Sequence, residues 1–155
     1  MITPFEDLLR ELGQSLGIDL HIDSHGACCL QLKDKLRVQI EPDKKDECII
    51  LAAMLGELGP GRFREEVFKE ALRVNAYNLT NGQTGAILGF CARLNQFTCY
   101  STLPFYELTA EKLTNALTYL VEQSLAWFDA VQNGQTVPPG FIPRPTMPTP
   151  FGIRP

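Results

Sequence analysis

His21 and His25 lie just ahead of the adjacent Cys28 and Cys29, and imidazole and thiolate are the side chains that hold transition metals. Their spacing matches no zinc pattern, and a strand would send Cys28 and Cys29 to opposite faces. The same divergence argues against a bridge between the two thiols. With Cys48, Cys91 and Cys99 the count is odd, and reduced, mostly packed cysteines are expected. Gly56-x-x-Gly59-x-Gly61 falls between a strand-like and a helix-like segment, where backbone amides can cradle phosphate. It lacks the Lys-Ser/Thr ending of a P-loop and the glycine order of a dinucleotide site, so a tight helix entry is the simpler reading. A small-ligand or nucleotide-binding protein using this 56–61 loop is the alternative function. Glu65 and Glu66 diverge on a helix and cannot flank one bond. Ser15, Ser24, Ser101 and Ser124 sit in no nucleophile elbow. No catalysis, no metal site and no cofactor are expected.

The bulk composition narrows the classes further. The chain has 155 residues, 45% hydrophobic and 21% charged, which suits one packed domain. Its formal charge is -4, and residues 136–155 hold Arg144 and Arg154 but no acid, so the body is more acidic than the whole. An acidic body is the wrong partner for phosphate backbones, and no nucleic acid is expected. No run approaches the roughly 20 apolar residues of a membrane span, so no membrane insertion is expected. Glu6 and Asp7 stand where a signal peptide would be basic, and a cytoplasmic protein is expected.

The elements that must carry any site are marked by capping and periodicity. Thr3-Pro4-Phe5-Glu6 forms a capping box with proline in the first turn, and Gly17 closes the helix it opens. Residues 27–33 and 36–41 alternate apolar and polar about the Asp34-Lys35 turn, which predicts a hairpin. Residues 47–55 are almost wholly apolar, as a strand covered on both faces would be. A second helix is predicted over 62–78, strands over 86–92 and 96–102, and a third helix capped by Thr109 and closed by Asn133-Gly134. The resulting order, α-β-β-β-α-β-β-α, predicts an α+β sandwich with a mostly antiparallel twisted sheet and helices packed on it. A single domain over 1–135 is expected. From Val137 onward seven prolines exclude helix and central strand, leaving 136–155 as a Pro-rich tail.

Two features point to binding instead of catalysis. The second helix carries two apolar stripes: Phe63, Val67, Ala71 and Val74, then Phe68, Leu72, Ala76 and Leu79. One stripe suffices for packing on a sheet, so the other predicts a second subunit. The first helix offers Phe5, Leu8, Leu9 and Leu12 beside the hairpin positions Leu30, Leu32, Val38 and Ile40. That is more apolar area than one short helix covers, and it predicts a partly open groove whose hairpin edge accepts an added strand. On this reading Leu9→Asp or Val38→Asp abolishes binding and leaves the fold intact. The tail, with Phe141, Ile142, Phe151 and Ile153 among its prolines, either hangs free, folds back on the body or docks on a partner.

Glu70-Ala71-Leu72-x-x-Asn75, the 85–91 strand and Leu103-Pro104-x-x-x-Leu108-Thr109-x-Glu111-x-Leu113 leading to Trp127 carry a likeness in this order. Over about residues 5–131 the chain resembles the class I type III secretion chaperones, the CesT/SycE-like (Tir chaperone) family. The resemblance implies a cytoplasmic bacterial homodimer that holds the N-terminal segment of one or more secreted effectors extended and consumes no nucleotide itself. It also implies Val67, Phe68, Leu72 and Asn75 at or near the two-fold, and an effector wound over Phe5, Leu8, Leu9, Leu12, Leu30, Leu32, Val38 and Ile40. The secretion-system ATPase is a further partner that such a chaperone can have. The tail has no counterpart in the resemblance.

Overall fold

The capping box at Thr3 sets the first element in place: its side chain accepts from the Glu6 amide, and the Glu6 side chain returns to the Thr3 amide. In the computed structural model, which describes residues 1–82 and 85–140, this opens α1 (Pro4–Leu16), which ends on Gly17 at φ 68. There follow β1 (Cys28–Leu32), β2 (Leu36–Pro42), β3 (Cys48–Glu57), α2 (Arg62–Thr80), β4 (Ile87–Cys91), β5 (Gln96–Pro104) and α3 (Ala110–Gln132). The α+β fold and the element order are those expected. The five strands form one sheet, ordered β1-β2-β3-β5-β4, with every neighbouring pair antiparallel. β3 and β5 are therefore central, and β1 and β4 are the edges.

Period-two alternation decides which face of the sheet is covered. Leu30, Leu36, Val38, Ile40, Ile49, Leu51, Ala53, Leu55, Phe97 and Cys99 all point inward and are buried. α3 lies across β2, β3 and β5 on that face, and α1 packs along α3. Leu113, Leu117, Leu120 and Trp127 fill the layer from the α3 side, with the Trp127 ring edge-on to Phe97 at 5.6 Å between centroids. Each fully buried leucine or isoleucine contributes about 1.5–3 kcal/mol relative to exposure, so this single layer carries most of the fold's driving force. The apolar run in β3 is buried on alternate residues only, because the other face of the sheet is covered by no helix of the described chain. The register of β3 on β5 slips between Met54 and Gly56, a bulge at the end of the longest strand.

The start of the Pro-rich segment belongs to this body. Val137 packs on the core and Pro138 is buried. Phe141, Ile142, Phe151 and Ile153 lie outside the described residues.

Candidate functional site

α1 and the β1–β2 hairpin meet where an apolar groove was expected. Phe5, Leu8, Leu9, Leu12, Leu30, Val38 and Ile40 are all buried in the protein's own core, and Leu32 is half-buried against it. The open groove floored by these side chains is thus corrected. α3 reaches over β2, so the area that one short helix could not cover is covered by two. Leu9→Asp or Val38→Asp would place an unpaired carboxylate in a dry core and unfold the protomer, not report on binding.

The open groove lies on the outer side of α1. It is a cleft of about 870 Å³ between α1 and the connector that follows it, with Ile2, Leu9, Gly13, Ile18, Leu20 and Ile22 among its lining. Ile18 and Ile2 are exposed there. Glu6, Arg10 and Asp19 add charges of both signs along it. Gly13 makes the cleft possible, because a Cβ on it would stand 2.7 Å from the Ile18 carbonyl oxygen. The Ile18 amide donates to the Gly13 carbonyl at 3.0 Å and ties the connector to the helix end. Ile18-Asp19-Leu20-His21-Ile22-Asp23 alternates apolar and polar, the signal that could have located this wall, but the run is short and follows a helix stop.

The connector then turns back onto β1. Ile22 bridges Cys28, and the Asp23 carboxylate accepts from the His25 and Ala27 amides at 2.8 and 3.0 Å. Those two amide bonds hold the Asp23 carboxyl below the usual aspartate range. Past Cys28, β2 is the one strand neighbour of β1 among the described residues, and Cys29 and Gln31 are exposed on its outer face. Cys29 takes a bond from the Arg37 guanidinium at 3.4 Å, while Cys28 is buried on the other face, as strand geometry requires.

A second apolar surface lies at the other end of the sheet, on α2 and β4. The two stripes of α2 separate in part, with Phe63 of the first left exposed. Val67, Ala71 and Val74 are buried inside the protomer, whereas Leu72 is 69% exposed and Leu79 74% exposed. Phe68 is half-buried, 5.0 Å from Phe90 between ring centroids, and the Arg64 guanidinium lies 5.9 and 5.5 Å from these two rings. Beside them Leu72, Ala71, Leu88, Gly89 and Phe97 complete the lining of an apolar recess of about 190 Å³. Of the four residues expected near a two-fold, Leu72 and Phe68 border this exposed face. Val67 is wholly buried, and the Asn75 side chain is bonded to the Leu88 backbone of its own protomer.

The residues singled out for chemistry are dispersed. Among the described residues no three His, Cys, Asp or Glu side chains converge on a point that could hold a metal ion. Gly56 belongs to the β3 bulge and Gly61 precedes α2 at φ 137, so the loop glycines serve different turns. Ser124 and Ser101 are buried, and burial pushes the nearby Cys99 thiol up to about 11, an effect the Ser124 hydroxyl only partly offsets. No described helix is long and apolar enough to cross a membrane.

A three-layer-free sandwich of this order, five antiparallel strands with helices on one face, is the architecture of secretion-chaperone structures. Residues 7–127 match the model of the Tir chaperone protein (CesT) family, and the chain belongs to that family. The resemblance read from Glu70 to Asn75 and from Leu103 to Leu113 is thereby borne out. No curated protein sequence matches the chain. A chain of the HopA1–SchA chaperone–effector complex shares its fold at a TM-score of 0.68 and 21% identity, covering 81% of this chain and 94% of that one. A chain of the ExoT–SpcS complex from Pseudomonas aeruginosa does so at 0.59 and 16%, covering 81% and 97%. The Yersinia pestis type III secretion chaperone SycH, solved with a fragment of YscM2, is similar at 0.57 and 16%, covering 77% and 95%. At these identities the likeness is one of fold.

Proposed function

We propose that this protein is a type III secretion chaperone that dimerises through the exposed stripe of α2 and holds the N-terminal segment of one or more secreted effectors extended. Membership of the Tir chaperone family supports the class. The observation that carries the mode of binding is the cleft between α1 and residues 18–22, whose wall runs through Ile22 to the bridge with Cys28 on the edge strand β1. Extended backbone adds along that edge while alternate side chains enter the cleft, so main-chain bonds supply affinity and the apolar wall supplies selection. The effector thus stays on the first helix and the hairpin but meets their outer rim. Phe5, Leu8, Leu12, Leu30, Val38 and Ile40 support that rim from within. No bond of the guest is made or broken, no cofactor takes part, and the work is done in the cytoplasm, with the secretion-system ATPase as the partner that receives the complex.

Co-purification from the source bacterium tests this reading. A tagged chain should bring down secreted proteins whose protected segment, mapped by limited proteolysis, is N-terminal. Ile18→Asp, at an exposed position, should cut that recovery at least tenfold and leave thermal stability unchanged. Undiminished recovery would move the site away from the cleft.

A further inference from the structure

An edge strand offers an incoming chain its outward N–H and C=O groups, and this sheet has two such edges. At β4 one pair of them, the N–H and C=O of Leu88, is already taken. The Asn75 side-chain amide donates to the Leu88 carbonyl at 2.8 Å, and the Leu88 amide donates to Asn75 Oδ1 at 2.9 Å. This is the pair of bonds that one residue of a neighbouring antiparallel strand would make. Both Leu88 groups therefore turn away from β5, and by alternation Leu88 and Phe90 are the outward residues of the five in β4. An antiparallel guest spanning this short strand needs Leu88. At the opposite edge, main chain meets β1 at the Ile22–Cys28 bridge, and Cys29 and Gln31 beyond it are exposed.

We infer that Asn75 is a specificity-determining residue for strand addition: it occupies the β4 edge in place of a strand and so directs an extended guest polypeptide to β1. The half of this inference that concerns β1 rests on the chaperone reading; the closure of β4 does not. A side-chain amide sets a donor and an acceptor side by side as a peptide group does, which an ionised aspartate or a leucine cannot. Asn75 sits one turn from Leu72 and Leu79 on α2, so the same helix that presents an apolar face also seals the strand beside it.

The test uses a seven-residue alternating threonine–valine peptide carrying a benzophenone, which has β-propensity and no sequence relation to any guest. With the full chain, ultraviolet cross-links should fall on β1 and not on residues 87–91. In Asn75→Ala, cross-links to 87–91 should appear at tenfold or more above the original chain, and the Leu88 amide should exchange at least tenfold faster. Asn75→Asp keeps the acceptor and loses the donor, and should give an intermediate yield; it serves if Asn75→Ala does not fold. Cross-links to β4 in the original chain, or none there in the variants, would overturn the assignment. A gain at β4 without any cross-link at β1 would uphold Asn75 as the β4 seal and remove β1 as the guest's edge, which separates this inference from the proposed function.

Discussion

Single side chains define the pH window in which this fold is secure. Asp23 accepts two backbone amides and Asp43 accepts from the Cys48 and Glu47 amides, and those bonds lower both carboxyl groups from the aspartate range. The unfolded chain then takes up protons first as the pH falls below about 4. The stability these turns supply is present above that range and is lost as the pH drops through the lower folded values. Cys99 works in the other sense, since its thiol is pushed up to about 11 by burial. The unfolded thiol ionises from about pH 8.5, so stability falls between there and 11. Thermal melts should therefore be flat from about pH 5 to 8 and decline at both ends, with Cys99→Ala removing part of the alkaline decline. Gly13 gives a second prediction at this scale. Gly13→Ala puts a methyl group 2.7 Å from a backbone oxygen that cannot rotate away, so the connector must shift. A loss of about 1–3 kcal/mol is expected from denaturant unfolding, with faster amide exchange at Ile18.

Among the elements, α2 is the one whose sequence and placement agree most closely. Its two stripes are legible because helical periodicity alone separates them, and the structure buries Val67, Ala71 and Val74 of the first and exposes Leu72 and Leu79 of the second, while Phe63 is exposed and Phe68 half-buried. Leu72→Asp should thus leave the melting of the protomer within about 0.5 kcal/mol, as surface changes do. The same variant should convert a light-scattering dimer to a monomer at micromolar concentration; an unchanged dimer mass would place the two-fold elsewhere. The first helix and the hairpin are less legible. Their boundaries are plain from Thr3, Glu6, Gly17 and the alternation over 36–41, which the structure extends by one residue to Pro42. What covers them is not, because the reach of α3 over β2 depends on the strand order, and β5 entering between β3 and β4 leaves no trace in local pattern. Asn75 shows the same limit: its place on α2 was readable, its bonds to Leu88 were not.

The described residues form one core cluster between a sheet and its three helices, so its borders matter for any truncation. Val137 packs on that core and Pro138 is buried, although the sequence assigns both to the tail. A chain ending at Thr136 should melt several degrees below one ending at Gly140, because it uncovers the core beneath Val137. Equal melting of the two would return these residues to the tail. The sheet order also sets a span. β1 and β4 stand at opposite edges, four strand spacings of about 4.8 Å apart, or roughly 19 Å. If two copies join at the β4 ends, their β1 edges face outward about 40 Å or more from one another. A single guest touching both would need at least roughly 12 extended residues merely to cross, before either landing site is counted. Short peptides should therefore occupy the two ends independently, and only a long one could tether itself at both.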